Sequence, residues 1–101
     1  MYHCPVNICL VGFSDEIAQF VEAAAPRPSF SHHVVRTAEP DGARAAEADA
    51  LFVDVTGRDA GRWLEETLPR KKEQACVVVL ASRDQMDELA PWLDRIHDLW
   101  I

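Results

Sequence analysis

The stretch Ala50-Leu51-Phe52-Val53-Asp54-Val55-Thr56-Gly57 decides the fold of this chain. Apolar residues run without a break into a single carboxylate, Asp54, and a turn-forming Val-Thr-Gly sequence follows directly. An uninterrupted apolar run is typical of a strand that is buried on both faces, as in a parallel sheet covered by helices. Ligands of such sheets bind at the carboxyl ends of the strands, so Asp54 lies where chemistry is most expected.

Length and charge restrict the class of protein. The chain has 101 residues, which suffices for one domain with one core. Its 17 acidic and 10 basic residues give a formal net charge of -7, which would repel a nucleic-acid backbone. No apolar run is long enough to span a bilayer, and the N-terminus lacks the layout of a signal peptide. We therefore expect a cytosolic protein that binds neither nucleic acid nor membranes directly.

Apolar strand patterns and helical patterns alternate along the chain. Strands are predicted at 6–11, 30–36, 51–55, 76–80 and 97–101, and helices at 14–24, 43–48, 59–68 and 82–93. In the second helix, Ala43, Ala46 and Ala50 are expected to share one side. In the last helix the apolar stripe comprises Met86, Leu89, Ala90 and Leu93, and Pro91 should kink or split it because proline removes a backbone hydrogen bond.

This alternation predicts an α/β fold. Right-handed crossovers give a five-stranded parallel sheet, and the flavodoxin-like order 2-1-3-4-5 in a three-layer sandwich fits five strands. The predicted core comprises Ile8, Leu10, Phe52, Val53, Val78 and Val79. Because the switch point of this order lies between the first and third strands, Gly12 and Phe13 should face Asp54 and Thr56 across a crevice.

With Asp54 at the end of the third strand, followed by a turn and a helix, the chain resembles the receiver domain of two-component response regulators over nearly its whole length. The resemblance implies a defined set of groups for phosphoryl transfer. Two acids after the first strand help to hold Mg²⁺, the aspartate after the third strand is the nucleophile, and a hydroxyl and a lysine follow the fourth and fifth strands.

The sequence departs from that pattern at most of these positions. Asp54 matches the nucleophile, but the acid pair falls on Gly12 and Phe13, neither of which can ligate a metal. The hydroxyl position falls on Ala81, with Ser82 one place later and matching a capping box with Gln85. The lysine has no counterpart before the chain ends. The cysteines lack the CxxC spacing of a metal site, so we expect no bound metal.

These departures predict a degenerate receiver, or pseudo-receiver, that is not an enzyme and needs no cofactor. We expect a non-catalytic regulatory and dimerisation module of a bacterial signalling protein. Asp54 is then a structural carboxylate that accepts hydrogen bonds from the loop around Thr56, Gly57 and Arg58.

Two alternatives remain open at the sequence level. One is a phosphorylatable receiver that uses Mg²⁺ and accepts a phosphoryl group on Asp54, with Asp15 or Glu16 replacing the lost acid pair. The other is a small-molecule sensor that uses the crevice near Gly12 and Asp54.

The end of the chain predicts an interface. Receivers continue into a fifth helix, whereas here Leu99, Trp100 and Ile101 would leave an apolar patch, with Trp92 nearby. We expect residues 1–101 to be a single receiver-like domain, the N-terminal part of a longer signalling protein, that pairs through this patch with a second copy or a downstream output domain. The resemblance suggests a diguanylate cyclase, a histidine kinase or a DNA-binding module as that output domain.

Overall fold

A computed structural model describes residues 6–13 and 32–101 of the chain. In these residues, five strands form one sheet, and α-helices lie between them. The strands are β1 (Val6–Val11), β2 (His32–Thr37), β3 (Ala50–Asp54), β4 (Cys76–Leu80) and β5 (Asp98–Trp100). The helices are α1 (Gly42–Glu47), α2 (Ala60–Thr67) and α3 (Met86–Leu89), with 3₁₀ turns at Leu68–Arg70, Arg83–Gln85 and Ala90–Arg95. The helix predicted at 14–24 lies outside the described residues.

The sheet has the predicted topology. Every strand pair is parallel, and the order is β2-β1-β3-β4-β5, with β2 and β5 at the edges. This confirms the flavodoxin-like α/β fold. Within the described ranges, no helix has the length and apolar character that crossing a membrane requires.

The two faces of the sheet carry two separate apolar clusters, because successive residues of a strand point to opposite sides. The helix-covered face is lined by fully buried strand residues that pack with α1, α2 and α3: Cys9, Val11, Leu51, Val53, Val77 and Val79. The second face centres on Leu10 and Phe13, against which half-buried side chains pack: Ile8, Val34, Phe52 and Leu80. Of the predicted core, Leu10, Val53, Val78 and Val79 are buried, whereas Ile8 and Phe52 are only half-buried.

Helix α1 corrects the predicted alanine stripe. The side chain of Asp41 caps the helix by accepting from the backbone N–H groups of Ala43 and Arg44, at 3.0 and 3.2 Å. With the helix fixed in this way, Ala45 and Ala48 face the sheet, whereas Ala43 and Ala46 are exposed. The small residues that allow α1 to approach the sheet are therefore a different pair from the one expected.

The segment 83–95 is split as Pro91 predicts, but the split changes which side chains are buried. The α-helical turn ends at Leu89, and a 3₁₀ turn containing Pro91 follows. Since a 3₁₀ turn has three residues per turn, Trp92 comes to the same side as Leu89 and packs against the core. Leu93, expected in the stripe, is 45% exposed.

Candidate functional site at the carboxyl edge of the sheet

Asp54 is the last residue of β3 and lies in a tight local turn. Its Oδ1 accepts a hydrogen bond from the backbone N–H of Thr56 at 3.0 Å. The backbone N–H of Arg58 donates to the carbonyl of Val55 at 2.9 Å, and Gly57 takes a φ of 73° that closes the turn. The hydrogen bond from Thr56 ties the Asp54 carboxylate to the loop that follows β3.

The Arg58 side chain spans the crevice between β1 and β3. Its Nη1 donates to the carbonyl oxygen of Gly12 at 3.0 Å and to the backbone carbonyl oxygen of Asp54 at 2.6 Å. The guanidinium carbon lies 4.7 Å from the centroid of the Trp63 ring, within the range of a cation–π interaction. A cation belonging to the chain therefore joins the ends of β1 and β3.

The backbone conformation of Gly12 and its lack of a side chain suit this arrangement. Its φ is +80°, in the left-handed region that side chains other than glycine rarely adopt. A Cβ at this position would clash with Arg58 Nη1 and would lie 2.7 Å from Trp63 Cζ3 and 3.0 Å from the carbonyl oxygen of Asp54. An acidic side chain at position 12 is thus incompatible with Arg58 and Trp63 in their places.

A buried amide closes the other side of the site. Gln85 is buried, and its Nε2 donates to the carbonyl oxygens of Val55 and Arg58. Its Oε1 accepts from the backbone N–H of Ser82 at 2.9 Å, in the predicted capping box, and from the Ser82 hydroxyl at 3.3 Å. The Ser82 hydroxyl, which lies one residue after the position of the receiver hydroxyl, therefore has a hydrogen-bond partner within its own turn.

Two more of the predicted crevice residues are buried in the packing of the fold. Phe13 is buried against Leu10 on the second face. Ala81 is also buried, and its backbone N–H donates to the carbonyl oxygen of Trp100 at 2.9 Å. Asp15 and Glu16 lie outside the described residues. Gly12 and Asp54 are brought together as predicted, with Arg58 between them.

Over residues 6–13 and 32–101, no three His, Cys, Asp or Glu side chains gather closely enough to hold a metal ion. Cys9 lies in the core, and burial raises the pKa of its thiol to about 11, as expected for a cysteine that packs as a small apolar residue.

The predicted interface residues are divided between the two faces. Trp92 and Leu99 pack against the cluster on the helix-covered face. Trp100 points to the second face, where its ring meets that of Phe52 edge-on with centroids 6.3 Å apart. Trp100 and Ile101 are 49% and 66% exposed. The expected single patch is therefore not continuous, because Leu99 and Trp100 are neighbours in a strand and point in opposite directions.

Two residues that define this site were not singled out from the sequence. Arg58 was expected only to contribute to the loop around Asp54, and Gln85 only to cap a helix. The sequence did contain a signal for Arg58, namely a basic residue four positions after the strand-end carboxylate and five before a buried tryptophan. No sequence pattern predicts which groups a long, flexible side chain contacts, however, so the partners of Arg58 become visible only in the structure.

Comparison with known proteins supports the fold alone. No protein-family model matches the sequence, and no curated protein matches it significantly. Among solved structures, the crystal structure of the pilus assembly protein CpaE from Caulobacter crescentus is similar, with a TM-score of 0.59 and 15% sequence identity. The match covers 94% of this chain and 80% of the CpaE chain.

Proposed function

We propose that this chain is a pseudo-receiver, a non-catalytic regulatory domain that acts by binding a protein partner, either a second copy or an output domain. The observation that carries the proposal is the position of Arg58. Its guanidinium lies between Gly12 and Asp54, at the edge of the sheet where the receiver resemblance places the metal-dependent chemistry.

Phosphoryl transfer requires positive charge that contacts the transferred oxygens. In the receiver domains that this chain resembles, this charge comes from Mg²⁺ held by two acids. A lysine and a hydroxyl also contact the oxygens of the phosphoryl group. Here the Nη1 of Arg58 donates instead to two backbone carbonyl oxygens, and the Ser82 hydroxyl donates to Gln85. Arg58 and Ser82 thus serve the fold, which supports a domain that signals by contact.

The fold comparison is consistent with a role in protein assembly. CpaE is described as a pilus assembly protein, and its likeness to this chain covers most of both chains. At 15% identity the likeness concerns the fold, so the partner-binding role rests on the contacts of Arg58 described above.

The proposal predicts that Asp54 resists phosphorylation. The chain would be incubated with acetyl phosphate, or with beryllium fluoride, in the presence of Mg²⁺ and beside a working receiver domain as a positive control. Intact-protein mass spectrometry should detect no added phosphoryl group, and amide NMR spectra should not change, because Gly12 stands where the resemblance places a metal-binding acid and Arg58 contacts the carbonyls of Gly12 and Asp54. Stoichiometric modification that disappears in Asp54→Asn would establish the phosphorylatable alternative instead.

A further inference from the structure

The pairing of β4 with β5 begins with a hydrogen bond to a side chain. The backbone N–H of Val77 donates to Nδ1 of His97 at 3.0 Å, and the backbone carbonyl of Val77 accepts from the N–H of His97 at 2.9 Å. Both backbone polar groups of one β4 residue therefore bind the residue that precedes β5. The imidazole takes the place of a backbone carbonyl that a longer β5 would supply.

This geometry fixes the state of the imidazole ring. A neutral imidazole has one nitrogen that accepts and one that donates, so the Nδ1 that accepts from Val77 is unprotonated and Nε2 carries the hydrogen. An imidazolium has a hydrogen on both nitrogens and cannot accept. The bond to Val77 is therefore made only by the neutral ring. Because His97 is exposed, protons from the solvent can reach it.

Loss of this bond disfavours the docked strand. Val77 is fully buried, and a buried N–H that loses its acceptor lowers stability. Since the backbone of His97 binds the same residue as its ring, displacement of the ring disturbs the start of β5. Few other hydrogen bonds oppose this, because β5 (Asp98–Trp100) has three residues and lies at the edge of the sheet.

The other charges around His97 are balanced. The titratable groups that share its cleft or adjoin the pair in the two strands come from four segments: Lys71, Glu73, Cys76, Asp94, Arg95 and Asp98. The cleft itself has two bases and two acids, and a thiol is uncharged in acid. The Asp98 carboxylate already accepts from the Leu99 N–H and the Trp100 indole. The bond to Val77 is thus the interaction that differs most between the two forms of the ring.

We propose that His97 makes the docking of β5 on β4 depend on pH. The docked pair uses the neutral ring, so β5 is held above the range in which imidazole takes up a proton, roughly pH 5 to 8, and is released as the pH falls through it. Release would uncover the edge of β4 and withdraw Leu99 from the main apolar cluster. This device goes beyond the proposed function and does not rest on it.

Amide hydrogen exchange of the 101-residue chain tests the proposal. NMR would follow exchange between about pH 7.5 and pH 5, with each rate divided by the intrinsic rate at that pH. The Val77 amide reports the start of the pair, and the Ala81 amide, which donates to the Trp100 carbonyl at 2.9 Å, reports its end. The amide of Val53, buried in β3, reports opening of the centre of the sheet.

The amides of Val77 and Ala81 should lose protection together. The expected loss is about tenfold for each pH unit below about 6.5, because opening then takes up one proton. The Val53 amide should lose less, since β3 stays paired when β5 leaves. At neutral pH, nitrogen NMR of the His97 ring should show the hydrogen on Nε2.

Substitutions of His97 separate the proton from the hydrogen bond. The side-chain oxygen of His97→Asn can accept near the position of Nδ1 and does not titrate, so Val77 and Ala81 should stay protected down to about pH 5. This variant keeps the other three of the four histidines. His97→Ala has no acceptor and should protect both amides weakly at every pH. Glu73→Gln, which removes a charge from the same cleft, is the matched control and should keep the pH dependence of the native chain.

Four outcomes would overturn the proposal. One is a neutral His97 ring with its hydrogen on Nδ1, which needs no variant to detect. Another is protection of Val77 and Ala81 that does not change with pH in the native chain, and a third is an equal change in His97→Asn. The fourth is a loss confined to Val77, which would mean that the ring leaves while β5 stays docked. Phosphorylation of Asp54 is measured separately, so none of these outcomes bears on the proposed function.

Discussion

At the scale of single residues, Arg58 stabilises two strand ends at once. Its guanidinium is planar and weakly hydrated, so it can lie over the Trp63 ring while one nitrogen donates to the carbonyls of Gly12 and Asp54. The carbonyl of Gly12 lies beyond β1 and that of Asp54 ends β3, so one side chain fixes the spacing of the central strand pair at its carboxyl edge. A metal ion at this edge would be exchangeable, whereas Arg58 is a permanent part of the chain.

Removing this guanidinium should destabilise the fold. Arg58→Ala is expected to lower the free energy of unfolding by about 1–2 kcal/mol, because it removes a cation–π contact and two hydrogen bonds from partly solvated carbonyls. Arg58→Lys should lose less, since an ammonium can still reach one carbonyl. Urea unfolding followed by tryptophan fluorescence measures both. The exposed Arg62 on α2 provides a matched control, and Arg62→Ala should change stability by less than about 0.5 kcal/mol. Equal unfolding midpoints for Arg58→Ala and Arg62→Ala would contradict the role assigned to Arg58.

The sequence was sufficient to locate Asp54 but not the residues around it. A carboxylate that ends an apolar strand is visible in the pattern, because strand burial is a local property that repeats along the chain. The contacts of Arg58 and Gln85 join segments that are distant in sequence, with Arg58 reaching Gly12 across 46 positions and Gln85 reaching Val55 across 30. No local rule relates such positions. The sequence showed that position 12 carries no acid, but it did not show that Arg58 contacts this position.

At the scale of elements, the segment 83–95 is where periodicity misled most. Its apolar residues recur at the spacing of an α-helix, which predicted that Leu89 and Leu93 would lie on one buried side. The chain leaves α-helical geometry after Leu89, and Pro91 cannot donate the hydrogen bond that a continued helix would need. Beyond Leu89, the spacing of apolar residues in the sequence therefore no longer predicts which side of the segment they face.

A pair of leucine substitutions tests this assignment. Leu89 is fully buried in the main cluster, so Leu89→Ala should lower the free energy of unfolding by about 2–4 kcal/mol through lost burial and the remaining cavity. Leu93 is 45% exposed, and Leu93→Ala should cost less than about 1 kcal/mol. Urea unfolding of the two variants gives the comparison. Similar large losses in both variants would indicate a continuous α-helix across Pro91.

At the scale of the whole molecule, the end of the sheet opposite Asp54 is tied together by Asp49. Its Oδ2 accepts from the backbone N–H of Asn7 at 2.9 Å, and its Oδ1 accepts from Lys72 Nζ at 2.9 Å. Its backbone N–H donates to the Asn7 carbonyl, and its carbonyl accepts from the N–H of Cys76. A single residue before β3 therefore connects the starts of β1 and β4.

This network makes global stability depend on pH. The Asn7 backbone hydrogen bond, followed by the contact with Lys72, holds the pKa of the Asp49 carboxyl below its ordinary value of 3.8. A lowered folded-state pKa gives a stabilisation that is complete well above the unfolded value and is lost as pH falls through the folded value. The difference in unfolding free energy between the native chain and Asp49→Asn should thus be largest near neutral pH and shrink below about pH 4. Urea titrations at several pH values measure it, and a difference that does not vary with pH would count against this assignment.

The topology was more predictable than any single site. Alternating strands and helices, together with right-handed crossovers, leave few arrangements of a parallel sheet, and the observed order is one of the two common ones. The division of Leu99 and Trp100 between faces follows from strand alternation once β5 is paired with β4. The sequence did not show which residues of each strand point to which face of the sheet, because that depends on how the strand pairs with its neighbour.

The strand order β2-β1-β3-β4-β5 also bears on how the chain can fold during its synthesis. β1 pairs first with β2, and each later strand then joins a free edge of the existing sheet: β3 beside β1, β4 beside β3, and β5 beside β4. No strand has to insert between two that are already paired. The sheet can therefore grow in the order in which the ribosome releases the chain, without reopening a hydrogen-bonded ladder, and β5 is completed last.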